Sequence, residues 1–127
     1  MNVNYARLAA ILAGLGVIAG AMGAHALEGR LMEVDAKATG WWETASLYHL
    51  VSALALFAVG LSSNGKFVKG WWTMFAGTVL FSGSLYIMAL TGSKAKAVVL
   101  ATPLGGSLII AGWILFAFAC SRPREAV

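Results

Sequence analysis

The chain has 127 residues, 60% of them apolar and 11% charged, with a mean hydropathy of +0.81. Soluble domains carry about 25% charged residues, so this composition excludes a water-soluble globule and points to a membrane protein. The formal charge of +4 sits on scattered cations with no basic stripe interleaved with aromatics, which argues against a nucleic-acid partner. The single cysteine, Cys120, excludes an internal disulfide and any CxxC metal or redox motif.

About 20 apolar residues are needed to cross a bilayer as a helix. The first such run, residues 8–27, contains no charge. It competes with a secretory signal cleaved at Ala24-His25-Ala26, but it is longer than a signal's apolar core and only Arg7 precedes it. The stretch EGRLMEVDAKATG then predicts a short interfacial helix with Leu31, Val34 and Ala38 roughly on one side. The second span, 44–62, holds one histidine, and the third, 71–91, and fourth, 97–119, hold no charge. Trp41 and Trp42, then Trp71 and Trp72, open spans two and three, where an aromatic belt meets the lipid headgroups. Thr102 and Pro103 read either as a cap and first helical position or as a kink in a longer helix, with the cap slightly favoured.

The connections, residues 28–43, 63–70 and 92–96, are short, and short links join antiparallel neighbours. The expected fold is an all-α membrane protein, an antiparallel four-transmembrane-helix bundle in a single domain, with a short interfacial segment between helices 1 and 2. GWW and SLY each occur twice, at unequal offsets of 30 and 38, so they mark no internal repeat. Gly16, Gly20 and Ala24 follow small-xxx-small spacing, as do Ala101 and Gly105, with Gly112 a heptad on. Such spacing lets helices approach closely, within the chain or between chains.

On the side of the termini, called side A, lie Arg7, Lys66, Lys69, Arg122 and Arg124; on side B lie Arg30, Lys37, Lys94 and Lys96. The count slightly favours cytoplasmic termini. Side B also carries Glu28, Glu33, Asp35 and Glu43.

The polar side chains of the spans gather toward side B: His25, Glu43, Tyr48, His49, Ser82, Ser84, Tyr86 and Thr102. Polar groups in lipid are costly unless paired or turned to a bundle interior. One reading makes the histidines interhelical fasteners, with Tyr48 and Tyr86 as interface anchors. The other makes the cluster the lining of a small cavity open to side B, for a ligand, proton or lipid headgroup. Two histidines and a carboxylate match a metal-ligand set, but they lack motif spacing, so no metal or other cofactor is expected. Catalysis has less support still, with neither GxSxG nor an intramembrane aspartate.

The segments GAMGAHAL, ETASLYHLVSALAL, FSGSLY, TPLGG and GW occur in the order of one family. By these the chain resembles small four-helix bacterial membrane proteins of a domain-of-unknown-function family, which also has eukaryotic transmembrane relatives. The resemblance implies an integral inner-membrane protein with no assigned activity. It implies signature positions at Gly23, Ala24, His25, Tyr48, Ser82, Gly83, Ser84, Tyr86, Thr102, Pro103, Gly105 and Gly106. The family often carries a histidine just before AL in its second span. Ser52 stands there in this chain, and the histidine is three residues earlier, at His49.

The expected function is a structural or assembly role in the membrane, without enzyme activity. Its expected partners are membrane lipids and either further copies of the chain or other subunits. The alternative is a small transporter or channel-like protein for a polar or protonatable solute. Minimal multidrug exporters, similar in size, use an acidic residue in their first helix, and none is present here.

Overall fold

The computed structural model describes residues 3–62 and 64–123; Arg124 of side A lies outside them. Helix α1 (Val3–Ala24) leads through a turn to α2 (Glu28–Val34) and then α3 (Ala38–Gly60). A single 3₁₀ turn (Gly65–Phe67) precedes α4 (Val68–Thr91), and α5 (Lys96–Ser121) completes the chain. α1, α3, α4 and α5 are each long and apolar enough to cross a membrane. They alternate in direction and pack in chain order, α1 on α3, α3 on α4 and α4 on α5. No seam of similar extent joins α1 to α5.

Local hydrogen bonds explain where these helices start and stop. Asp35 is extended, which ends α2. Its carboxylate accepts the Lys37 N–H at 2.8 Å and its carbonyl accepts the Ala38 N–H at 3.1 Å. This Asx-type turn launches α3 at Ala38, six residues before the start expected from hydropathy. A short helix stands where one was expected, but it covers only Glu28–Val34, and Ala38 belongs to α3 instead; Leu31 buries itself against Ala38, Trp42 and Ala89, with Val34 packed alongside. Gly92 closes α4 at φ 67°, donating its N–H to Met88. Left-handed backbone of this kind favours glycine.

Helix α5 corrects the reading of Thr102-Pro103 as a helix start. The helix begins a full seven residues earlier, at Lys96, and Pro103 lies in its interior. Proline supplies no N–H to the Val99 carbonyl, yet the preceding turns hold. In lipid, residues 96–102 have no alternative to internal backbone hydrogen bonding.

The interior is layered. Toward side A, Ala9, Leu56, Trp71, Met74 and Phe116 form one buried cluster. Toward side B, Leu31, Ala38, Trp42 and Ala89 form another. Between them lie the buried polar residues His49, Ser52, Thr78, Ser82 and Ser84.

The tightest helix contact is α4 with α5. A methyl group added at Gly77 would lie 2.7 Å from the Ile109 backbone nitrogen and 2.8 Å from the Gly105 carbonyl oxygen. One added at Gly105 would overlap the Phe81 backbone nitrogen. Gly112 faces Met74 in the same seam, and on α1 Gly16 faces His49. These three glycines of the small-residue spacing therefore pack within the chain, whereas Gly20 faces open space.

Candidate functional site

His49 is the centre of the polar layer. It sits eleven residues into α3, about 16 Å along the helix axis, and so near mid-membrane rather than the 8–9 Å expected from a helix beginning near Glu43. Its Nε2 lies 2.8 Å from the Leu12 carbonyl oxygen of α1, and its Nδ1 lies 2.9 Å from the Tyr86 hydroxyl of α4. A carbonyl only accepts, so Nε2 carries the proton; in the neutral ring, Nδ1 then accepts and Tyr86 donates. The ring reaches the α1 backbone across Gly16, whose missing side chain leaves room: a methyl there would come within 3.4 Å of the imidazole. One side chain thus ties three helices together.

The same device recurs. Trp42 donates its indole N–H to the Ala19 carbonyl at 2.7 Å, with its ring lying over Gly23 and 4.6 Å from that of Tyr86. Trp42 and His49 are seven residues apart on α3, and their acceptors Ala19 and Leu12 are seven apart in the reverse direction on α1. Likewise Trp71 donates to the Leu56 carbonyl at 3.0 Å and Ser82 to the Ala45 carbonyl at 2.8 Å. Here the spacing is eleven residues on both helices, again antiparallel. Each seam is held at two levels by a side-chain donor on a backbone acceptor.

The α4–α5 seam has a side-chain pair, Ser84 with Thr102 at 2.7 Å. Ser84 gives its one hydroxyl proton to the Phe81 carbonyl at 2.9 Å, so Thr102 is the donor in the pair.

The eight polar residues singled out in the sequence therefore separate. His49 and Tyr86 meet directly, Ser84 and Thr102 meet each other, and Ser82 bonds to α3 on its own. His25 is exposed in the turn after α1 and, among the described residues, only its backbone N–H is bonded, to Ala21. Glu43 is exposed. Tyr48 is also exposed, its ring edge-on to Phe81 at 5.2 Å. Among the described residues, no group of three or more His, Cys, Asp or Glu side chains could hold a metal.

Sequence reasoning missed Trp42 and Trp71. Both pairs are expected in the headgroup belt, but Trp42 and Trp71 are buried and hydrogen-bonded, while Trp72 is 48% exposed and Trp41 is half-buried against the side B cluster. Adjacent residues on a helix point about 100° apart, so the two rings of a tryptophan pair at a span end meet different surroundings. Ser52, where the resemblance implies a histidine, lies one turn beyond His49 on the same buried face. We expect Trp71→Phe, which keeps an aromatic ring but loses the N–H and part of the indole volume, to destabilise the fold by about 1 to 3 kcal/mol, the lost hydrogen bond and the void both contributing. Reversible unfolding in mixed micelles would measure this.

Four antiparallel membrane-spanning helices, joined by paired polar side chains, define a small integral membrane protein. The chain belongs to the family described as "Protein of unknown function (DUF423)", whose model matches residues 19–106. It is 44% identical over 120 residues to the UPF0382 membrane protein YwdK of Bacillus subtilis, covering 91% of this chain and 94% of that one. It is 41% identical to the UPF0382 membrane protein SSP2132 of Staphylococcus saprophyticus, covering 85% and 88%. A UPF0382 membrane protein of Haemophilus influenzae is 36% identical, covering 98% and 99%. No solved structure matches the chain.

Proposed function

We propose that the protein is a structural or assembly component of the bacterial inner membrane, with both termini in the cytoplasm and no enzyme activity. The observation that carries this reading is the interhelical bonding at the centre of the polar layer. Both nitrogens of His49 and the hydroxyls of Tyr86, Ser82, Ser84 and Thr102 are bonded within the fold. Groups committed in this way fix helix positions rather than offer free donors or acceptors to a solute. The proposed partners are further copies of the chain or other membrane subunits, meeting α1, where Leu15 and Ile18 are exposed and a methyl added at Gly20 would meet nothing within 4 Å.

Two measurements on the full chain test this. Native mass spectrometry in mild detergent should show an oligomer for the wild type that is weakened in Gly20→Leu; a wild type that is monomeric and binds no subunit would overturn the assembly role. In liposomes, proton flux should equal that of protein-free vesicles. A flux abolished by His49→Ala would replace the structural role with the small-transporter alternative.

A further inference from the structure

We propose that the groove between α4 and α5 on the side B half binds one acyl chain of an anionic glycerophospholipid, with the headgroup phosphate held at Lys94 and Lys96. The groove is a shallow depression of about 350 Å³, open on its outer side and walled by Val79, Gly83 and Ile87 of α4 and Ala97, Val98 and Ala101 of α5. Val79, Gly83 and Ile87 recur every four residues on one helix face and span about 12 Å along it. Gly83 forms the hollow between the two larger side chains, since a methyl there would meet nothing within 4 Å. The one hydroxyl in the lining, Ser84, is already bonded to Phe81 and Thr102. The groove therefore suits hydrocarbon.

Its side B end is cationic. α5 begins at Lys96, directly before the lining residues Ala97 and Val98, and its first turn contains no acidic residue. Lys96 is exposed and has no ion pair among the described residues. Lys94, in the loop just before it, has a side chain 70% exposed and lies 3.9 Å from Asp35. A contact that long and that exposed adds little stability and leaves Lys94 open to a second anion. Hydrocarbon walls ending at two lysines match the two halves of an anionic lipid, and each lysine near the headgroups favours it by roughly five-fold. The inference does not depend on the assembly role or on which side of the membrane the termini occupy.

The test is native mass spectrometry of the full-length protein with phosphatidylglycerol and phosphatidylcholine of identical acyl chains. The wild type should retain phosphatidylglycerol at least roughly five-fold better. Lys94→Gln with Lys96→Gln should reduce it to the phosphatidylcholine level. Gly83→Leu should fill the groove and lower retention of both lipids about ten-fold, leaving the melting temperature no lower than that of the wild type. Ala101→Leu narrows the same groove from α5 and substitutes for Gly83→Leu if that variant does not fold. Equal retention of the two lipids by the wild type, or unchanged binding in the groove variants, would overturn the proposal. Loss of self-association in Gly83→Leu would assign the groove to a second copy and would also overturn it.

Discussion

Gly105→Ala is expected to destabilise the fold by about 2 to 3 kcal/mol, in the upper part of the range for overpacked sites. The added carbon would overlap the Phe81 backbone nitrogen and approach the Gly77 carbonyl oxygen to 2.8 Å. Backbone atoms on both sides cannot rotate away as a side chain would, so relief requires separating α4 from α5. That movement would also stretch the Ser84–Thr102 hydrogen bond and loosen Gly77 from Ile109. Gly83→Ala is the internal control, because its methyl enters open space and gains helix propensity. Unfolding of both variants in mixed micelles checks the contrast, and equal stability would refute the close crossing.

The second large effect is expected at His49. His49→Ala removes hydrogen bonds to α1 and α4 at once and leaves a void beside Gly16. Interhelical hydrogen bonds in membranes contribute about 0.6 kcal/mol on average and up to about 1.7, and a large-to-small change in a packed site costs about 2 kcal/mol or more. A loss of about 2 to 4 kcal/mol follows. Tyr86→Phe removes a single hydroxyl and should cost no more than about 1.7 kcal/mol. His25→Ala should leave stability within about 0.5 kcal/mol, since that side chain is exposed and its ring makes no hydrogen bond among the described residues.

The contrast between the two histidines shows how far the sequence could be read. Four apolar runs separated by short charged links were enough to place four antiparallel helices, because bilayer thickness dictates their length. The first turns of α3 were not legible. They are set by the Asp35 turn, and a hydropathy window sees only the charged residues around it. This boundary moved His49 to mid-depth, further from the surface than expected; its reading as an interhelical fastener stands. His25 and His49 looked alike as imidazoles near apolar runs; what separates them is that Gly16, on another helix, leaves room for His49 alone.

The gathering of polar residues was legible, but their pairing was not. Spacing places Ser82 and Ser84 near Tyr86, but neighbours in sequence point to different faces. Ser82 turns to α3 and Ser84 to α5. The role of Trp42 and Trp71 was hidden for a similar reason. An indole at a span end satisfies the aromatic-belt expectation equally well whether it faces lipid or a carbonyl on the next helix.

Polar side chains act as ties between the helices, and a double-mutant cycle on His49→Ala and Tyr86→Phe tests this most directly. Unfolding free energies of the wild type, both single variants and the double variant, measured in the same mixed micelles, give the coupling between the two residues. A coupling of about 0.6 to 1.7 kcal/mol is predicted. Additive losses, with no coupling between imidazole and hydroxyl, would contradict it.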